Sequence, residues 1–162
     1  MALPDIPLTR GDGTPDSLGA HAGKVLLVVN TASQCGLTPQ YAGLEALHKQ
    51  LGPRGFEVLA FPANDFGSQE PGSDGEIASF CEVNFGASFP IFAKASVVGD
   101  DKQPLYAALT KTPDASGKTG RITWNFEKFL VTPDGSVHRF SPKTEPDAPE
   151  IVDLITASLP EG

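Results

Sequence analysis

The run KVLLVVN, residues 24–30, constrains this chain more than any other feature. Every side chain from Val25 to Val29 is aliphatic, so neither face can meet water, and such a strand belongs in the middle of a sheet covered on both sides. Asn30 ends it. Thr38-Pro39 then predicts a helix start, with Thr38 as N-cap and Pro39 in the first helical position. Tyr41, Leu44, Leu47 and Leu51 follow at three- and four-residue spacing until Gly52-Pro53 stops the pattern. FEVLAFP, 56–62, reads as a second strand. Two strands joined through a helix run parallel with a right-handed crossover, so 24–62 is one β-α-β unit and the fold class is α/β.

Around that unit the chain reads as a single domain over residues 1–162, a length that supports one sizeable core. Residues 1–22 form an irregular or hairpin-like lead-in. Ser73 and Glu76 fit a capping box that opens a helix through Ile77, Phe80 and Cys81 and fades near Asn84 and Gly86. FPIFAKASV, 89–97, reads as a strand, and PLYAALTK, 104–111, as a short helix. NFEKFLV (125–131) and SVHRF (136–140) flank Thr132-Pro133-Asp134-Gly135, where the Asp-Gly pair predicts an antiparallel hairpin. A last helix runs from about Ala148 to Leu159, with Ile151, Leu154, Ile155 and Leu159 on one face.

Charge narrows the partners. Twelve basic against twenty acidic residues give a net charge of −8, which repels phosphate backbones and anionic headgroups. Nucleic acid and membrane surfaces are therefore poor candidate partners, and no nucleic-acid binding is expected. No apolar run approaches the roughly 20 residues of a membrane span, and the first twenty residues contain no signal-peptide core, so no membrane anchor and a cytoplasmic location are expected. The two cysteines, 46 residues apart, offer neither a disulfide framework nor a metal knuckle.

Several tempting motifs fail on spacing. Gly117-Lys118-Thr119 has Thr112 where a phosphate-binding loop needs glycine, and Gly11-x-Gly13 has Asp16 where a dinucleotide fingerprint needs glycine or alanine. His21, His48 and His138 are scattered, so no metal and no cofactor are expected. Cys35 survives because it follows the C-terminal end of the first central strand and precedes a helix N-terminus. Open α/β sheets place their ligands there, and exposed amides with a helix dipole favour thiolate. A thiol with a reference pKa of about 8.5 is some 3% thiolate at pH 7, whereas one near 6 is about 90%. The other reading is a buried structural cysteine, the common fate of a free thiol, and position alone leaves both open.

Three blocks in order, VNTASQCGLTPQY (29–41), LAFPANDFGSQEPGS (59–73) and ITWNFEKFLV (122–131), resemble the signatures of the glutathione peroxidase family. The resemblance spans nearly the whole chain. It implies a thioredoxin-like fold, a central mixed sheet with flanking helices and a C-terminal hairpin plus helix. It also implies hydroperoxide reduction by a cysteine assisted by Gln, Trp and Asn, which here are Cys35, Gln69, Trp124 and Asn125. Chemically the last three offer amide and indole donors to a sulfur anion, and none is a base near neutral pH.

Cys81, in SFCEVNFGASFP, matches by context the resolving cysteine of the thioredoxin-dependent branch of the family; the alternative is a buried helix residue. Relatives often carry cysteine where this chain has Ala63, and Gln where it has Asp65, which is expected to add negative charge near the site. The resemblance thus implies a thiol peroxidase that reduces hydrogen peroxide and organic hydroperoxides through a sulfenic acid and a Cys35–Cys81 disulfide, with thioredoxin as reductant. A peroxide-sensing relay that oxidises a partner protein through the same disulfide is the second reading. The short connection between Lys111 and Arg121 leaves no room for the insertion through which tetrameric relatives associate, so a monomer is expected.

Overall fold

The computed structural model describes residues 5–100, 102–114 and 117–160. The first four residues of the expected lead-in, Asp101, two residues of the 111–121 connection (Ala115 and Ser116) and the last two residues lie outside that description. A two-stranded hairpin opens the chain, β1 (Pro7–Thr9) against β2 (Pro15–Ser17). β3 (Val25–Thr31), α1 (Gln40–Leu51) and β4 (Phe56–Pro62) follow as the expected unit, with β3 and β4 parallel from Val25↔Phe56 to Thr31↔Pro62. Next come α2 (Asp74–Phe85), α3 (Pro104–Leu109), β5 (Lys128–Val131), β6 (Val137–Phe140) and α4 (Pro149–Ser158). The main sheet is mixed, in the order β4-β3-β5-β6, because β5 lies antiparallel to β3 and β6 returns antiparallel to β5.

Every residue of β3 is buried. Val25, Leu27 and Val29 pack into one cluster with Tyr41, Leu44 and Leu47 of α1, Ile77 of α2 and Ile151 and Ile155 of α4. Leu26 and Val28 belong to the opposite cluster with Leu105 and Tyr106 of α3 and Ile6 and Leu8 of the opening hairpin. The continuous aliphatic run is thus explained by helices on one face and α3 with the hairpin on the other. Truncating a buried residue such as Leu27 to Ala costs about 2–5 kcal/mol in a core of this kind.

α2 starts as its sequence dictates: the Ser73 hydroxyl accepts the Glu76 N–H, and the Glu76 carboxylate accepts the Ser73 N–H at 2.8 Å. It stops at Gly86, whose left-handed φ of 61° suits glycine. Only Ile77 and Cys81 of this helix are fully buried; Phe80 and Phe85 pack half-buried against Tyr41, and Val83 is 77% exposed.

Two expectations need correction. Residues 89–97 do not form a strand; the segment makes only isolated bridges, Ile91 to Ala60 and Phe92 to Arg10. Pro90 has no N–H to give a ladder, and the chain follows the β4 edge through single bonds such as Ala60 N–H to the Pro90 carbonyl at 3.1 Å. Thr38, in turn, does not cap α1, which begins at Gln40 after Pro39. Its hydroxyl serves the turn that carries Cys35.

Candidate active site

That turn leaves the C-terminal end of β3. The Cys35 N–H donates to Thr38 Oγ1 at 3.0 Å, the Thr38 hydroxyl donates to the Ala32 carbonyl at 2.8 Å, and the Thr38 N–H returns to the Cys35 carbonyl at 3.1 Å. Thr38 thereby closes residues 32–38 on themselves. Inside the turn the Leu37 N–H points at Cys35 Sγ, 3.3 Å away, a bond of the kind a sulfur anion accepts. Cys35 itself is 8% exposed.

The loop after β4 brings Gln69 alongside. Gln34 N–H donates to the Gln69 carbonyl at 3.0 Å, tying the Cys35 turn to that loop. Ser68 and Gly67 both take positive φ, 51° and 64°, and a Cβ at Gly67 would come within 3.3 Å of the Trp124 ring and 3.4 Å of the Gln69 side chain. Glycine is therefore required where Trp124 and Gln69 close over the backbone. Trp124 lies with its ring centroid 5.6 Å from Phe66 and remains 37% exposed. Asn125, fully buried, donates from Nδ2 to Gln69 Oε1 at 3.0 Å.

The backbone at 124–126 is secured by Asn30, the residue that ends the aliphatic run. Asn30 Nδ2 donates to the Trp124 carbonyl at 3.0 Å, and the Asn30 carbonyl accepts the Phe126 N–H at 2.6 Å. Gln69, Trp124 and Asn125 are thus gathered beside the Cys35 turn. The expected ring of side-chain donors is narrower than the sequence suggested, since Asn125 donates to Gln69 and the hydrogen bond received by Sγ comes from the Leu37 backbone. The Asp65 carboxylate accepts the Val97 N–H at 2.7 Å.

Cys81 lies in α2 with no exposed surface, in the core cluster that also holds Cys35, Tyr41, Phe89 and Ala32. Burial pushes its thiol up to about 11; the neighbouring Tyr41 hydroxyl pulls the other way, and the Glu70 carboxyl adds to the rise. That Tyr41 hydroxyl has no well-formed hydrogen bond of its own, so burial dominates. Both cysteines are free thiols. Between the Cys35 turn and α2 lies a surface depression lined by Ser33, Gln34, Glu70, Glu76, Ile77 and Phe80.

Asn30, Thr38 and the Leu37 amide were not singled out as site residues from sequence. A signal existed for Asn30, because a polar side chain closing a strand buried on both faces needs a partner. Among the described residues no group of three His, Cys, Asp or Glu is placed to hold a metal, and no helix is long and apolar enough to cross a membrane.

Known proteins resemble this chain over most of its length. The sequence pattern of the family described as glutathione peroxidase matches residues 5–110, a span that holds Cys35, Gln69 and Cys81, while Trp124 and Asn125 lie beyond it. The glutathione peroxidase-like peroxiredoxin gpx1 of Schizosaccharomyces pombe is 53% identical over 144 residues, covering 88% of this chain and 90% of its own. The thioredoxin/glutathione peroxidase BtuE of Escherichia coli is 45% identical over 168 aligned positions, covering 91% of this chain and 92% of its own. Among solved structures, the crystal structure of Trgpx in apo form superposes with a TM-score of 0.75 at 37% identity, over 95% of this chain and 93% of that one. The fold is accordingly the thioredoxin-like one that the resemblance implied.

Proposed function

Since the chain belongs to the glutathione peroxidase family and is a peroxidase, we propose that Cys35 is its peroxide-reactive thiol and Cys81 the thiol that resolves it. In the first step the Cys35 thiolate attacks one peroxide oxygen, the S–O bond forms as the O–O bond breaks, and the departing alkoxide takes up the proton shed by the thiol. The products are an alcohol, or water from hydrogen peroxide, and a sulfenic acid on Cys35. Gln69 and the Trp124 indole donate toward the charge that builds on sulfur and oxygen, and Asn125 orients Gln69. In the second step Cys81, deprotonated, attacks the Cys35 sulfur and displaces water, leaving a Cys35–Cys81 disulfide. An external dithiol then reduces it by exchange.

The observation that carries this reading is the Asn125–Gln69 hydrogen bond beside the turn that holds Cys35. Thioredoxin is the reductant we assign. A disulfide between two protein cysteines suits attack by a dithiol protein, and a chain of net charge −8 attracts the doubly carboxylated glutathione poorly. The E. coli relative is named for both reductants. We place the protein in the cytoplasm as a monomer, with residues 1–162 as one peroxidase domain; two free thiols suit a reducing compartment.

Steady-state consumption of hydrogen peroxide and of an organic hydroperoxide, with thioredoxin and its reductase or with glutathione, tests the assignment. Faster turnover with thioredoxin is expected. Turnover as fast with glutathione contradicts the reductant, and negligible turnover with either favours a relay that discharges to a protein partner.

A further inference from the structure

Lys128 lies in β5 with no exposed surface, in a strand whose neighbours Phe129 and Leu130 are apolar and equally buried. An ammonium in such a place costs free energy unless its donors are used. Its Nζ donates to the Phe126 carbonyl at 2.7 Å and to the Pro142 carbonyl at 3.0 Å, and Pro142 also receives Gln40 Nε2 from α1 at 2.9 Å. Phe126 is the residue with φ of 67°, a conformation bulky side chains avoid at a cost of about 1–3 kcal/mol. Its carbonyl therefore faces a direction that ordinary strand pairing does not serve.

The turn at 123–127 is stitched at every step. Asn30 holds the Trp124 carbonyl and the Phe126 N–H. Glu127 Oε1 accepts the Thr123 N–H and hydroxyl, both at 2.9 Å, while its other oxygen pairs with the buried Arg139. Lys128 supplies the remaining tie, to the carbonyl of the strained residue next to Asn125. Asn30 belongs to β3, which leads directly into the Cys35 turn, so the two ties together fix the register between Cys35 and Asn125.

We propose that Lys128 is a positioning residue for peroxide reduction: by holding the Phe126 carbonyl it keeps the left-handed turn that delivers Asn125 to Gln69 and Trp124 to the rim of the site. This rests on the reading of Asn125, Gln69 and Trp124 as the groups that assist Cys35. Lys128 reaches neither the sulfur nor the peroxide and acts only through that turn. A methionine fills the same length without a donor, leaving the Phe126 carbonyl without its tie and the left-handed conformation unsupported.

The test separates the two halves of the cycle. Reduced wild type, Lys128→Met, Lys128→Gln and Asn125→Ala are mixed with hydrogen peroxide, and loss of the Cys35 thiol is followed with emission from Trp124, the only tryptophan. Reduction of each oxidised protein by thioredoxin is measured separately. Lys128→Met is expected to slow the peroxide step at least tenfold, to alter the Trp124 emission of the reduced protein, and to leave the thioredoxin step within about twofold. Lys128→Gln, which keeps a donor, is expected to fall between it and wild type. A peroxide step within twofold of wild type in Lys128→Met, or equal losses in both halves, overturns the proposal. Should the methionine variant not fold, the glutamine variant carries the same decision: a peroxide-selective loss supports the proposal, and wild-type rates or equal losses overturn it. If Asn125→Ala retains the wild-type peroxide rate, the reading of the site itself fails, whatever Lys128 does.

Discussion

Asn125 and Gln69 are joined amide to amide, with Asn125 Nδ2 donating to Gln69 Oε1 at 3.0 Å. The direction matters. With its oxygen taken up, Gln69 turns its amide hydrogens away from Asn125, and among the described residues nothing accepts them. In the function proposed here Gln69 is the side-chain amide that donates to the reacting sulfur or peroxide oxygen, with Asn125 fixing which way it faces.

Two groups that act as one unit lose function together. Gln69→Ala and Asn125→Ala are each expected to slow the peroxide step at least tenfold, and the double variant little more than either alone. A double-mutant cycle on that rate should give a coupling of about 1 kcal/mol or more. Additive losses would mean that each amide acts independently.

The two thiols should differ sharply in reactivity. Cys81 has no exposed surface and a thiol pushed up to about 11, so only about one in a thousand is thiolate near pH 8. Iodoacetamide is expected to label Cys35 at least 100-fold faster than Cys81 in the folded, reduced protein and both alike in strong denaturant. Equal labelling of the native protein would show that α2 opens freely without oxidation.

In the proposed disulfide step Cys81 starts from a position with no exposed surface, in a helix whose opening would free it. Within α2 only Ile77 and Cys81 are fully buried, with Phe80 and Phe85 half-buried against Tyr41, and the segment after it is latched where Glu45 accepts the Ser88 N–H and hydroxyl, both at 2.7 Å. Hydrogen exchange across residues 75–90 should therefore rise on oxidation while β3 and β4 stay protected. Unchanged protection in that segment would rule out unwinding as the route.

Lys128 gives stability a pH dependence of known sign. Burial pulls its ammonium down to about 7 from an ordinary 10.5, and the carboxylates of Glu145 and Glu127 oppose that pull. Below about 7 both folded and unfolded chains hold the proton and the burial cost is fully present. Between about 7 and 10.5 the unfolded chain binds more protons, so this group raises stability with pH, by at most about 1.4 kcal/mol per unit. Cys81 acts oppositely above about 9, where the unfolded thiol ionises first. Urea unfolding from pH 6 to 9 should show a rise in wild type that Lys128→Met lacks; parallel curves would contradict the assignment.

The sequence made much of this legible, for identifiable reasons. The aliphatic run before Asn30, the capping box at Ser73 and Glu76 and the Asp134-Gly135 turn are local signals, and each appears where expected. The apolar run at 89–97 misled because burial along a sheet edge and strand pairing look alike in composition, and Pro90 removes the donor that would separate them. Thr38 and Pro39 read as a helix start, but the hydroxyl was claimed by the Cys35 turn. Cys35 could be singled out from its place after a strand, whereas Gln69, Trp124 and Asn125 came from resemblance alone, since no periodicity links positions so far apart. Asn30 and Lys128 hid inside runs read as strand. Their message was the cost of a polar group between buried neighbours, which becomes specific only when its partners are visible.

In the proposed cycle Cys35 and Cys81 form one redox couple. Reduced protein treated with a single equivalent of hydrogen peroxide, quenched in acid and digested without reductant, tests it by mass spectrometry of the linked peptides. Loss of both thiols within each molecule and one crosslink joining Cys35 to Cys81 are expected. Cys35 found as sulfenic or sulfinic acid, with Cys81 still a free thiol, would contradict it.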